Sequence, residues 1–145
     1  FRIITDPGEI GLPEITLGLL PGAGGTVRLP RLIGIARAKQ IIMLGRDIDA
    51  AQAVRYGIVM EAVPPDQLMN ASLQLAERLA ALSPTALKLI KVVINASLSM
   101  PLEDALKLED HSFDVLVRTE KAQRLVQRYL EQNQRWGASQ EGLPP

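Results

Sequence analysis

Residues 11–26 constrain the fold of this chain more than any other segment. The segment reads Gly-Leu-Pro-Glu-Ile-Thr-Leu-Gly-Leu-Leu-Pro-Gly-Ala-Gly-Gly-Thr, so it holds five glycines and two prolines. Glycine and proline interrupt regular structure and favour turns. We therefore predict a short apolar strand at Glu14–Leu17 and a glycine-rich turn after Pro21. A helix then begins at Thr26 and ends at Gly34.

The predicted secondary structure changes from mixed to helical near residue 64. Before that point, β-rich runs at Phe1–Thr5 and Ile58–Val63 predict short strands, and Asp49 stands where a helix N-cap is expected. After that point, apolar residues recur at helical spacing, and Ser83-Pro84 combines a cap with a proline at the first helical position. The predicted helices cover residues 36–44, 50–56, 65–82 and 84–98, and two more open at residues 101 and 119. The chain is therefore predicted to be mostly α with a few short strands.

Composition excludes several classes of function. The 145 residues, 47% of them hydrophobic, suit one domain with a real core. The 16 acidic and 16 basic residues cancel and only 3% are aromatic, so neither nucleic acid nor a membrane is expected as a partner. The absence of cysteine excludes disulfides, thiolate metal sites and a cysteine nucleophile. We expect a soluble cytoplasmic protein, or a mitochondrial-matrix protein if the source is eukaryotic.

Glu14 is the strongest candidate for acid–base chemistry. It follows a proline, stands among apolar residues and precedes the glycine-rich turn. A carboxyl group partly removed from water holds its proton more tightly and can exchange it at neutral pH. The competing interpretation is a solvated carboxylate with no chemical role.

The glycine-rich turn does not match a nucleotide-binding motif. A dinucleotide fingerprint that began at Gly22 would need its third glycine at Val27, and a phosphate loop would need a lysine between Gly25 and Thr26. What remains is a bare backbone that a substrate can approach, with free amides where a helix begins. The lone His111 is interpreted as a solvated or packed helix residue, and no metal site is predicted.

The segment from residue 11 to residue 65 resembles the signature of the crotonase family, also called the enoyl-CoA hydratase/isomerase family. The matching stretches are Gly11–Arg28, Leu29–Gly34, Leu44–Arg46, Ile48–Ala50 and Gly57–Val59, ending near Pro64-Pro65. The resemblance covers nearly all of this chain but only the second half of a family member, beginning just after a Gly-Gly-Gly-x-Glu-Leu-Ala segment. It implies the C-terminal half of an α/β crotonase-like fold, the ββα superhelix of the ClpP/crotonase type.

The resemblance also implies roles for three residues. In the family, the glutamate that matches Glu14 passes a proton to or from the carbon next to the thioester carbonyl. The amide that matches Gly22 helps to hold the reacting water or the acyl chain, and Pro13 belongs to the same substrate- and water-binding segment. The implied reaction adds water across the α,β double bond of an enoyl-CoA thioester, with no cofactor besides the CoA of the substrate. A Δ3,Δ2-enoyl-CoA isomerase that works with a single glutamate is the alternative.

Parts of the family's site fall outside this sequence. The two oxyanion-hole amides, often the largest catalytic contribution, come from the first half of a family member. The second glutamate, which hydratases use to activate water, also comes from that half. The family's common C-terminal Lys-Arg pair is replaced as well, because Arg135 is the only basic residue in Tyr129–Trp136. We therefore expect a truncated chain that has weak activity or none when it is alone.

The resemblance divides the chain into three regions. Residues 1–63 would supply the end of the core with the active-site loop, residues 64–136 a helical oligomerisation region, and residues 137–145 a flexible tail. The expected partners are an acyl-CoA thioester and further copies of the chain in a trimer or hexamer, with or without the first half of the family fold. A non-catalytic assembly module is the alternative from another functional class.

Overall fold

The structure, a computed structural model, describes the backbone of residues 1–138 and the side-chain packing of residues 1–132. The chain divides into two compact units, Phe1–Glu77 and a second that begins at Arg78. The elements of the first part are β1 (Ile3–Thr5), β2 (Glu9–Ile10), a 3-10 helix (Pro13–Leu17), α1 (Gly25–Ile33), α2 (Ile35–Leu44), β3 (Ile48–Asp49), α3 (Ala50–Arg55), β4 (Glu61–Val63), a 3-10 turn (Pro65–Gln67) and α4 (Leu68–Ala80). The remaining elements are α5 (Pro84–Ser97), α6 (Leu102–Val117) and α7 (Glu120–Ala138).

Two short sheets organise the first unit. β1 pairs with β4 in parallel, with Ile3 opposite Glu61 and Thr5 opposite Val63. β2 pairs with β3 in antiparallel fashion, with Ile10 opposite Ile48. A parallel pair needs a long crossover, and α1, α2 and α3 lie in the segment that joins β1 to β4.

The core of the first unit links these helices to both sheets. Its buried apolar members are Ile33, Ala38, Ile41, Ile48, Ala53, Ile58 and Val59. Ala38 and Ile41 stand three residues apart on α2, a spacing that places both on one helix face. Ile4 of β1 and Leu29 of α1 pack against this cluster from partly buried positions. The core therefore joins α2 to residues of α1, α3, β1 and β3.

The second unit is a set of helices with little buried apolar surface. α5 packs on α6, and α6 packs on α7. Within its described side chains, the buried residues are Ala105 and Ser112, both on α6. The Ser112 hydroxyl donates to the Leu108 carbonyl at 2.7 Å, so this buried polar group is satisfied within its own helix. His111 beside it is exposed.

The predicted strand at Glu14–Leu17 is wrong, because Pro13–Leu17 forms a 3-10 helix. Pro13 fits the first turn of such a helix, where its fixed φ is favourable and its absent N–H costs nothing. Gly18 closes the turn in the left-handed conformation, with φ 69°, and its N–H donates to the Ile15 carbonyl at 3.0 Å. Local bonding between neighbouring residues has replaced the strand pairing that the apolar pattern suggested.

Most predicted helices are present with small shifts at their ends. Asp49 is confirmed as an N-cap, since its Oδ1 accepts from the Gln52 N–H at 2.6 Å. The Ser83 cap with Pro84 at the first helical position is also confirmed. The strand predicted at Ile58–Val63 is shorter than expected, because the Ile58 N–H bonds back to the Ala53 carbonyl instead of joining a sheet.

The regions predicted from the resemblance differ in position from the compact units. The predicted change from mixed to helical structure near residue 64 is confirmed, because β4 ends at Val63 and only helical elements follow in the described residues. The boundary between the compact units lies later, inside α4. α7 extends to Ala138, so the first two residues of the predicted tail are helical and the rest of it lies outside the described residues. Within the described part, no single helix is long and apolar enough to cross a membrane, although Pro65–Ala80 and Pro84–Ser97 reach that length and composition as a bent pair.

Candidate functional site

Glu14 is held on a rigid turn, which we call the Glu14 turn and which comprises Pro13–Leu17. Its backbone carbonyl accepts from the Leu19 N–H at 3.0 Å. The Thr16 hydroxyl donates to the Pro13 carbonyl at 2.8 Å, and this hydrogen bond joins residues on either side of Glu14. These local bonds fix the direction in which the Glu14 side chain leaves the backbone.

The Glu14 carboxyl group has one oxygen that is buried and without a partner. The residue is half-buried, and Oε2 has no hydrogen bond. Among the described side chains, it is the only buried nitrogen or oxygen atom in this condition. Leaving a buried acceptor unsatisfied costs about 1–3 kcal/mol, so such an atom in a native fold calls for an explanation. A bound group that donates to Oε2, or exchanges a proton with it, would provide one.

The Glu14 side chain lines a cavity of about 340 Å³ in the first unit. Pro21, Ala23, Gly24 and Gly25 bring the glycine-rich turn to the same cavity. The apolar part of its wall comes from Ile10, Leu12, Leu29, Leu32, Ile41 and Ile58. A single carboxyl group therefore faces a largely apolar space next to a bare backbone, as the sequence pattern suggested.

The other two predicted site residues lie beside this cavity and do not line it. Pro13 is exposed at the start of the Glu14 turn. Gly22 is exposed in the glycine-rich turn, and a Cβ added there would meet no atom within 4 Å. The structure thus brings Glu14 together with Gly24 and Gly25, while Gly22 faces open space next to them.

Two arginines that the sequence analysis did not single out also line the cavity. The Arg2 Nε donates to the Ile58 carbonyl, which holds the guanidinium at the cavity wall. The Arg28 side chain lies against Gly24, where an added Cβ would come within 3.1 Å of Nε. Nothing in their spacing along the chain marks these residues as neighbours, because only the packing of β1 against the rest of the unit places Arg2 near α1.

Cavity volume alone does not identify the site. A cavity of about 440 Å³ is lined by Arg46, Asp47, Gln52 and Tyr56 among others, and one of about 210 Å³ lies between α5 and α6 with Glu109 at its wall. Neither contains a buried carboxyl oxygen without a partner. No group of three His, Cys, Asp or Glu side chains within the described residues could hold a metal ion. The Glu14 cavity is therefore the best candidate site.

Comparison with known proteins identifies relatives of this chain. The family model for enoyl-CoA hydratase/isomerase matches residues 1–139. A probable enoyl-CoA hydratase from Rhizobium meliloti is 42% identical over 120 residues, which are 83% of this chain and 47% of that protein. The short-chain-enoyl-CoA hydratase from Clostridium acetobutylicum is 36% identical over 130 residues, covering 90% of this chain and 50% of that protein.

Solved structures show the same relationship in three dimensions. The crystal structure of an enoyl-CoA hydratase from Bacillus anthracis matches with a TM-score of 0.84 and 38% sequence identity, over 91% of this chain and 51% of that one. The predicted crotonase-like fold is thereby confirmed. The chain spans about half the length of the curated relatives it matches. It belongs to the enoyl-CoA hydratase/isomerase family.

Proposed function

We propose that this chain supplies the proton-transfer part of a site that adds water across the α,β double bond of an enoyl-CoA thioester. Glu14 delivers the proton to the α-carbon of the intermediate as a general acid. The observation that carries this proposal is the buried, unpartnered Oε2 of Glu14 in a cavity that is otherwise largely apolar. An acyl chain suits the apolar wall, and a carboxyl oxygen without a protein partner is free to exchange a proton with the substrate.

The glycine-rich turn supports the same proposal. Gly22 has an exposed backbone with open space where a side chain would be, so a water molecule or an acyl chain can approach its amide. Pro13 sets the start of the turn that carries Glu14 and takes part in binding through that position. CoA enters the reaction as part of the substrate, and we propose no other cofactor.

Further catalytic groups come from outside this chain under the proposal. Hydration of a thioester needs hydrogen-bond donors to the carbonyl oxygen, and losing one such donor costs about 10²–10³ in rate. The resemblance assigns these donors and a water-activating glutamate to a segment that precedes Phe1 in the family. We therefore expect the 145-residue chain alone to hydrate a short enoyl-CoA weakly or not at all, and to act together with that segment.

Double-bond isomerisation is the second candidate, favoured by a specific observation. Among the described residues that line its cavity, Glu14 is the only one with a carboxyl group, and an isomerase can shuttle a proton between two carbons with one such group. The two reactions are separated by offering a 3-enoyl-CoA and a 2-enoyl-CoA to the same protein. Conversion of the first without hydration of the second identifies an isomerase.

A non-catalytic assembly module is the candidate from another class. The exposed apolar side chains of the second unit favour it, because such surfaces are typical of interfaces between subunits. Under this alternative the protein self-associates and converts neither thioester.

The decisive test replaces Glu14 by glutamine in the longest form of the protein that contains this chain. Glutamine keeps the shape of the side chain but cannot transfer the proton, so turnover of enoyl-CoA should fall by about 10²–10⁴. Glu9→Gln is the matched control, since Glu9 is exposed on β2 and does not line the cavity. Loss of the enoyl-thioester absorbance measures the rate. Equal turnover in the parent and Glu14→Gln would remove Glu14 from the mechanism.

A further inference from the structure

Gly45 lies where the end of α2 meets the Glu14 turn. It caps α2 in the left-handed conformation, with φ 58°, and its N–H donates to the Ile41 carbonyl. Ile41 is buried in the core of the first unit, as is Ala38 one turn earlier. The end of α2 is therefore anchored by the core and cannot move away from the Glu14 turn without disturbing it.

A side chain at position 45 would collide with the Glu14 turn. A Cβ placed there would lie 2.9 Å from Ile15 Cγ2 and 3.1 Å from Thr16 Cγ2, and 3.9 Å from Pro13 Cα. Carbon atoms that are not bonded rest at about 3.5–4.0 Å, so both methyl groups would have to shift. These residues flank Glu14 in a turn closed by its own hydrogen bonds, and a shift of Ile15 and Thr16 is therefore passed to Glu14.

We propose that Gly45 is a positioning residue for Glu14. Its lack of a side chain lets α2 support the Glu14 turn at the distance that directs the carboxyl group into the cavity. Gly45 itself does not line the cavity, so it acts through Ile15 and Thr16 and not by touching the substrate. The inference rests on the proposed function, because the direction of Glu14 matters for catalysis only if Glu14 exchanges a proton with a bound thioester.

The first test compares Gly45→Ala with Gly57→Ala in the longest form of the protein. Gly57 has a similar left-handed backbone, with φ 74°, but an added Cβ meets nothing within 4 Å. Both substitutions strain the backbone, and only Gly45→Ala pushes on the Glu14 turn. A misplacement of a catalytic group by about 1 Å can cost on the order of 10² in rate, so kcat should fall by that order in Gly45→Ala. KM should change little, and Gly57→Ala should keep kcat within about threefold of the parent.

A rescue experiment separates a push on the turn from general strain. Ile15→Ala and Thr16→Ser together remove both methyl groups that the new Cβ would meet, and serine keeps a hydroxyl that can donate to the Pro13 carbonyl. Adding Gly45→Ala to this double variant should leave kcat close to that of the double variant itself. Backbone strain at position 45 would be the same in both backgrounds, so a kcat that falls equally in both overturns the positioning role.

The outcomes distinguish this inference from the proposed function. If Glu14→Gln abolishes turnover while Gly45→Ala behaves like Gly57→Ala, Glu14 is catalytic and the positioning role is wrong. If the protein converts no enoyl-CoA even in a form that supplies the family's preceding segment, the proposed function fails. The side-chain carboxyl carbon resonance of Glu14, assigned through Glu14→Gln, then becomes the readout. A resonance displaced by Gly45→Ala but not by Gly57→Ala supports positioning, and one unchanged in both variants overturns it.

Discussion

The two compact units of this chain differ in how much apolar surface they bury. Within the described side chains, eight of the nine buried apolar residues lie in the first unit, and Ala105 is the one in the second. Both units expose large apolar side chains, and those of the second unit lie along three helices and include Ile90, Ile94, Leu102, Phe113, Leu125 and Tyr129. Burial of apolar surface is the main favourable contribution to folding. The first unit therefore has its own source of stability, whereas the second depends on being covered.

This difference in buried apolar surface is consistent with different roles for the two units, catalysis for the first and assembly for the second. A group that transfers protons must be held within a narrow range of positions, and rigid, packed elements hold it best. Glu14 stands in the unit that has the core, next to a helix anchored in that core. An exposed apolar surface has no such value for catalysis, but it is what an interface between subunits uses. We expect the first unit to determine the chemistry and the second to determine assembly.

The largest expected effect comes from truncating matched isoleucines in the two units. Ile33 is 7% exposed and Ile94 is 59% exposed. Ile33→Ala should lower the free energy of unfolding by about 2–5 kcal/mol, because it leaves a cavity in a packed core. Ile94→Ala should cost less than about 1 kcal/mol if that surface is uncovered. Urea denaturation followed by circular dichroism measures both.

Equal losses in the two variants would sharpen this comparison, because they would show that Ile94 is covered in solution. Repeating the denaturation at several protein concentrations then tests whether another copy of the chain covers Ile94. Stability that rises with concentration points to a second copy of the chain, since association stabilises the folded state by mass action.

An intermediate effect is expected for self-association. Leu125, Val126, Tyr129 and Leu130 form the apolar face of α7, and each is at least half exposed. If this face is covered by another copy, Leu125→Glu removes a buried leucine and should weaken association by about 10–100-fold, corresponding to about 1.5–3 kcal/mol. Light scattering across a dilution series measures the change.

Gln127→Glu is the control for that variant, because it adds the same charge to α7 at an exposed position farther from the apolar face. Identical size distributions for the two variants would exclude the α7 face from the interface. If the parent protein stays monomeric at micromolar concentration, the assignment of assembly to the second unit is wrong.

The smallest effect concerns the two helix caps. Asp49 in the first unit accepts from the Gln52 N–H at 2.6 Å, and Ser83 in the second accepts from the Ala86 N–H at 3.4 Å. Asp49→Ala should lower the free energy of unfolding by about 1 kcal/mol, and Ser83→Ala by about half as much because its bond is longer. The midpoints of urea unfolding, compared between variants that share the same denaturant dependence of the free energy of unfolding, measure the difference. A larger loss for Ser83→Ala would show that the second unit limits the stability of the whole chain.

Local chemistry predicted a large part of the fold. Single residues were enough to predict the N-caps at Asp49 and Ser83 and the end of a helix at Gly34. A cap or a turn satisfies backbone groups only a few positions away, so its signal is local. The same holds for the helical repeat in the later part of the chain. Element ends were less predictable where a residue had a choice of partners, as at Ile58, whose N–H bonds to Ala53 and not to a strand.

The amino-acid sequence is enough to predict the family, the position of Glu14 before a glycine-rich turn, and the order of the helices, since each depends on residues that are near one another along the chain. Only the tertiary structure decided that Oε2 of Glu14 is buried without a partner and that Arg2 and Arg28 share its cavity. It also decided that Gly45, thirty-one positions after Glu14, lies close to Ile15 and Thr16 of the Glu14 turn. These features arise from contacts between distant segments, and the energy of such contacts depends on packing distances that no local pattern encodes.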